Sequence, residues 1–129
     1  MKIIGIGVDL VNNNRIKLSI KNKKFINRIF DKNELLSAEK IFDKTNYLSK
    51  RFAAKEALAK AIGTGFSDGL NFKDIQILNN KMGKPYYFIS SKLKNLIKKK
   101  KKIKTFNLFL SISDEKEYSI AFAIIQTSQ

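Results

Sequence analysis

Asp9 and Glu56 each sit among residues that leave a carboxylate reachable. Asp9 lies in Ile3-Ile-Gly-Ile-Gly-Val-Asp-Leu-Val11, which reads as a strand. Ile4, Ile6, Val8 and Leu10 would share one face, and Gly5, Gly7 and Asp9 the other. Two glycines and one acid make a poor packing surface, but they admit a ligand or another backbone. Glu56 lies in Arg51-Phe-Ala-Ala-Lys-Glu-Ala-Leu-Ala-Lys-Ala-Ile-Gly-Thr-Gly65. This stretch reads as a helix, rich in alanine and free of proline. Ala54, Ala57, Leu58, Ala61 and Ile62 recur at helical spacing and form an apolar stripe. Glu56 falls outside that stripe, with Lys60 one turn further along the same side. Gly63 follows the last apolar position, where a left-handed cap favours glycine. The plain reading is a buried helix with one surface Glu–Lys pair. The sharper reading is that two distant acids converge on one metal ion.

Composition narrows that chemistry. The 129 residues include no cysteine and no histidine, which excludes disulfides, thiolate ligands and imidazole bases. A metal would be held mainly by oxygen, which favours magnesium, manganese or calcium. Magnesium is usually held by one or two carboxylates, with water and phosphate oxygens completing the shell. Asp9 and Glu56 match in number and type. Gly63, Thr64 and Gly65 could offer backbone N–H groups to an anion, or simply stop the helix.

The chain is long enough for one domain over residues 1–129, and 43% hydrophobic content argues for a folded core. No apolar run approaches the roughly 20 residues needed to span a bilayer, and the start lacks a signal-peptide pattern. A cytoplasmic protein without a membrane association is expected. Lysine and arginine number 26 against 11 acids, a net charge of +15 that attracts polyanions without naming one.

The elements that must position the acids follow in order. Asn12 to Asn14 read as a turn, followed by a basic helix over about residues 15–30. Its apolar pairs are Ile16 with Ile20, Phe25 with Ile29, and Ile26 with Phe30. Asp31 and Glu34 form a capping-box pattern opening a helix with Leu35, Leu36, Ile41 and Phe42. Residues 43–49 are expected to contain a break before the central helix. Ser67, Asp68 and Gly69 read as a loop. Residues 72–78 and 85–89 read as a hairpin, followed by a helix running from Ser90 or Ser91 into the five lysines at 98–102. Those lysines suit a solvated helix end. Two alternating runs, Phe106 to Ile112 and Tyr118 to Ile124, close the chain as an antiparallel hairpin. The class is α+β, a mostly antiparallel sheet with packed helices.

The chain resembles the holo-acyl-carrier-protein synthase family of phosphopantetheinyl transferases. The resemblance rests on Gly5-Ile-Gly-Val-Asp-Leu-Val11 with Arg15, then Arg51-Phe-Ala-Ala-Lys-Glu-Ala57, Lys60 and Gly63-Thr-Gly65. Gly83-Lys-Pro85, Ser111-Ile-Ser113, Tyr118 and Ala121 complete an ordered set spanning nearly the whole chain. It implies the 4′-phosphopantetheinyl transferase fold and transfer of 4′-phosphopantetheine from coenzyme A to a serine of apo-acyl carrier protein. Adenosine 3′,5′-bisphosphate would leave, and the product would serve fatty acid biosynthesis. Asp9 and Glu56 would bind Mg2+, Glu56 and Lys60 would be catalytic, and Lys60 would be a second cation on the phosphates. Arg51, Lys60, Gly63, Thr64, Gly65, Lys84 and Pro85 would contact coenzyme A. Arg15, Lys21, Lys24, Phe25 and Arg28 would dock the acidic carrier protein, and the enzyme would be a homotrimer. Many members carry histidine where Asp114 stands here, so another cation would replace it. The base that takes the serine proton stays open among Glu56, a water on the metal, or another acid.

Two other readings compete. A basic nucleic-acid-binding module accounts for the charge, but no aromatic recognition motif or zinc spacing accompanies it, and the aromatics sit mostly at core-like positions. A non-catalytic relative that only binds carrier protein fits less well, because both acids and Lys60 are retained. No nucleic-acid partner is expected.

Overall fold

The computed structural model describes residues 1–66 and 69–128; the loop expected at Ser67 and Asp68 lies outside them. Strand β1 (Lys2–Asn12) is followed by helices α1 (Asn13–Ser19), α2 (Lys23–Ile29), α3 (Lys32–Glu39) and α4 (Lys44–Ile62). A 3₁₀ turn (Phe72–Asp74) then leads into β2 (Ile75–Asn79), β3 (Pro85–Ile89), α5 (Ser91–Lys101), β4 (Asn107–Asp114) and β5 (Tyr118–Thr127). β5 lies between β1 and β4 in an antiparallel sheet, while β2 and β3 form a separate hairpin. The α+β reading holds.

Helix α4 is the centre of the molecule. It is buried nearly all round, from Leu48 through Phe52, Ala57 and Leu58 to Ile62, as expected of a helix enclosed on every side. It packs against β1 through the glycine face. A Cβ on Gly7 would run into the Ala57 carbonyl oxygen, and one on Gly5 into that of Ala61. The face that looked poor for packing is therefore the packing face, made by backbone against backbone. The bulky face points outward: Ile6, Val8 and Leu10 are 57%, 47% and 61% exposed.

Several boundaries differ from expectation, each for a local reason. The single basic helix is broken in two, because the Asn22 side chain accepts from the Lys24 and Phe25 N–H groups and starts a new helix. The capping box of α3 forms, with Glu34 N–H donating to Asp31 and Asp31 N–H to Glu34. The helix stops at Glu39, however, so Ile41 and Phe42 lie outside it and are exposed. The break before α4 ends at Asp43, earlier than residues 43–49 allowed: Asp43 caps the helix by accepting from Asn46 N–H, and the helix starts at Lys44. The strand expected from residue 72 begins at Ile75, because Asn71 N–H donates to the Asp74 carboxylate and holds a tight turn. Gly63 takes the left-handed conformation expected of it, at φ 91°. Eight of the fourteen aromatics are in the core or packed against it, as expected, while Phe42, Phe88, Phe109, Phe122, Tyr86 and Tyr118 are exposed.

Lys55 is buried in the middle of the structure. Its Nζ donates to the Ile29 carbonyl at 2.8 Å, Glu34 Oε1 at 2.6 Å and the Phe72 carbonyl at 3.2 Å. One ammonium thereby ties α4 to the end of α2, to α3 and to the turn before β2. A buried charge needs this many partners to offset lost hydration.

Candidate active site

The glycine face of β1 brings Asp9 to the side of α4 that carries Glu56 and Lys60. Lys60 Nζ donates to Asp9 Oδ1 at 3.1 Å and to the Val8 carbonyl at 3.0 Å. The lysine thus crosses to β1, although the helical spacing alone suggests an ion pair with Glu56. Burial pushes the Asp9 carboxyl above its ordinary range, partly offset by the Lys60 hydrogen bond and the charges of Lys60 and Arg15. Burial also pushes Glu56 upward, and the charge of Asp9 adds to that, while Lys60, Arg15 and Arg28 oppose it. The two acids therefore feel one another. This is the electrostatic signature of a site that gains from a cation.

Among the described residues no set of three acids, histidines or cysteines gathers. Two half-buried carboxylates with an ammonium already seated on one of them still fit magnesium, which needs few protein ligands when phosphate oxygens supply the rest. Asp9 and Glu56 would hold it.

Arg51 is buried, stacked over the Tyr47 ring with its guanidinium carbon 3.4 Å from the centroid. Its Nη2 donates to Asn79 Oδ1 at 2.7 Å. Burial lowers its pKa from the usual arginine value, against the charges of Tyr47 and Glu34. With Lys50, Asn79, Gly83, Pro85, Ile112 and Asp114 it lines a cleft of about 130 Å3. Asp114 also borders a wider depression of about 470 Å3 with Leu10, Ser113, Tyr118 and Ile120. Lys84 stands exposed at the turn into β3. Gly63 N–H is spent on the Ala59 carbonyl at 3.0 Å, so that glycine serves as a helix stop rather than an anion donor. Thr64 Oγ donates to the Gly65 carbonyl at 2.9 Å.

Arg15, Lys21, Lys24 and Arg28 are exposed on and between α1 and α2. Arg15 and Arg28 also act electrostatically on Glu56, which puts this basic surface beside the acids. Phe25 is partly buried, 5.9 Å from the Phe52 ring centroid, and supports the helix from below.

Three features were not read from the residues. Lys55 falls in the row Leu48, Phe52, Lys55, Ala59 and Ile62, and that spacing was the available signal for its burial. Asn46 Nδ2 donates to Asp114 Oδ2 at 2.7 Å, with Lys50 Nζ at 4.0 Å from the same carboxylate. Asn13 Nδ2 donates to the Glu115 and Lys116 carbonyls, pinning the last turn beside α1. The last two contacts cross the chain and leave no local pattern.

The chain is similar along nearly its whole length to known proteins. Residues 5–123 match the 4′-phosphopantetheinyl transferase superfamily. A holo-[acyl-carrier-protein] synthase of Pelagibacter ubique is 58% identical over 126 residues, covering 98% of each chain. The crystal structure of holo-[acyl-carrier-protein] synthase from Neisseria meningitidis superposes with a TM-score of 0.86 at 38% identity, covering 98% of this chain and 100% of that one. The Bacillus anthracis holo-(acyl-carrier-protein) synthase, solved in complex with CoA (3′,5′-ADP), superposes with a TM-score of 0.81 at 34% identity, covering 98% of both chains.

Proposed function

The chain belongs to the holo-[acyl-carrier-protein] synthase family of the 4′-phosphopantetheinyl transferase superfamily, and from that premise we propose that it transfers 4′-phosphopantetheine from coenzyme A to a serine of apo-acyl carrier protein. The observation that supports this most directly is the meeting of Asp9, Glu56 and Lys60 at the β1–α4 contact.

The serine oxygen attacks the phosphorus that carries the pantetheine arm, and the bond to the adenosine-side phosphate breaks. Adenosine 3′,5′-bisphosphate leaves with that electron pair, and the serine proton passes to a base. An in-line displacement of this kind is accelerated chiefly by positioning and charge neutralisation. Magnesium on Asp9 and Glu56 supplies polarisation of the diphosphate and stabilises the leaving group when bound. Lys60 adds a second cation from the last turn of α4. Arg51 and Pro85, which line one cleft with Asp114, offer it to the nucleotide end, with Lys84 next to Pro85 in the chain. Lys50 is the cation adjoining Asp114, where the family commonly has histidine. The basic surface of α1 and α2 attracts the acidic carrier protein and orients it toward the acids.

The outward face of the sheet supports a homotrimer. Ile6, Val8 and Leu10 of β1 run beside Ile124, Phe122 and Ile120 of β5, and all but Ile124 are exposed, an apolar face of the kind that proteins cover with protein. Among the described residues no helix is long and apolar enough to cross a membrane. We place the enzyme in the cytoplasm, in service of fatty acid biosynthesis.

The test is mass spectrometry of apo-carrier protein after incubation with enzyme, coenzyme A and magnesium. The carrier is expected to gain the pantetheine arm. Asp9→Ala and Glu56→Ala are each expected to lower the rate by about 100-fold or more while retaining the wild-type circular dichroism spectrum. Full activity in both variants would overturn the site.

A further inference from the structure

Lys60 is more than a cation waiting for phosphate. Two of its three N–H donors are engaged on β1, at Asp9 Oδ1 and the Val8 carbonyl. The side chain is 54% exposed, whereas that of Asp9 is only 14% exposed. The ammonium therefore sits at the mouth of the site, on the carboxylate that a metal would use, and has open solvent to swing into. A lysine is a compact charge on a flexible stem, well suited to changing partners.

We infer that Lys60 is the counter-ion of Asp9 in the metal-free protein and couples metal binding to the substrate diphosphate. This rests on reading Asp9 as a metal ligand. A metal ion reaching Asp9 in the absence of substrate must break the Lys60–Asp9 pair and then face a second positive charge a few ångströms away. Both effects weaken its binding. With a diphosphate present, the displaced ammonium finds new oxygens and the two cations share a dianionic ligand, so the repulsion is neutralised. Lys60 thereby couples the two binding events, and by linkage each ligand raises the affinity for the other. The device weakens the free enzyme's hold on a metal until a substrate is there to act on.

The experiment titrates Mn2+ into the full-length protein, followed by electron paramagnetic resonance, with and without coenzyme A, for wild type, Lys60→Met and Asp9→Asn. Circular dichroism confirms that each variant is folded. Without coenzyme A, Lys60→Met is expected to bind Mn2+ about fivefold more tightly than wild type, the factor an exposed ion pair supports. With Mn2+ present, the same variant is expected to bind coenzyme A more weakly, so the gain in Mn2+ affinity on adding coenzyme A shrinks. A residue that merely propped the fold would not move the two affinities in opposite directions. If Mn2+ binding is lost in Asp9→Asn but is no tighter in Lys60→Met, the counter-ion role is overturned and the metal site stands. If Asp9→Asn binds Mn2+ as wild type does, the metal site falls and the inference with it.

Discussion

Glu56 shows how one side chain carries both chemistry and a cost in stability. Burial and the Asp9 charge make its carboxyl hold a proton more readily in the fold than in the unfolded chain. Protonation therefore favours the folded state. The metal-free protein keeps that contribution below the unfolded carboxylate value, near pH 4, and loses it as pH rises through the raised value. Glu56→Gln never ionises and escapes the loss. In metal-free thermal melts, Glu56→Gln is expected to be the more stable protein at pH 7, with the difference vanishing toward pH 4. A wild-type protein that gains stability over Glu56→Gln as pH rises would contradict this. Stability and activity should move in opposite directions here, as they do where like charges are held together for a ligand.

At the level of elements, the site depends on how closely a strand and a helix approach. Gly5 and Gly7 face Ala57 and Ala61 with no room for a Cβ, and Asp9 is the next residue on that face. Gly7→Ala must push β1 away from α4 or bend one of them. It is expected to cost about 1–3 kcal/mol in chemical denaturation, as overpacking of a tight contact does. It should also weaken Mn2+ binding, although no ligand is altered. Retained Mn2+ affinity in a destabilised Gly7→Ala protein would show that the acids meet independently of this contact. Lys55 fixes the other side of α4, joining it to the basic helices and to the turn before β2.

At the level of the whole molecule, one sheet face packs on α4 and the other is left largely exposed among the described residues. The outward residues of β1 and the middle of β5 are aliphatic and aromatic, and β4 adds Phe109 with two serines: Phe109, Ile124 and Ile6 align across the strands, as do Ser111, Phe122 and Val8. A surface of that kind suits burial against protein. Phe109→Asp places a charge on this face from β4, a strand that carries neither ligand of the proposed metal. Sedimentation velocity is expected to show a trimer for wild type and a monomer for this variant, with transfer activity falling alongside. A monomeric wild-type protein of full activity would sink the assembly.

Composition and spacing alone decide a good deal. With no histidine or cysteine, metal ligation falls mainly to oxygen. Alternation and helical period mark β1, β4, β5, α5 and the latter part of α4, and local capping chemistry at Asp31 and Gly63 acts within a few residues of where it is read. Partners are another matter. That Lys60 reaches Asp9 rather than Glu56, that Lys55 is buried on Glu34, and that Asn46 holds Asp114 all depend on residues far apart in the chain. The glycine face of β1 was legible as one that admits another backbone, but a hydrophobicity pattern, which assumes that bulk seeks the core, does not turn that face inward. Here glycine packs inside, since a backbone carbonyl of α4 occupies the space a side chain would take, and the larger residues are left outside.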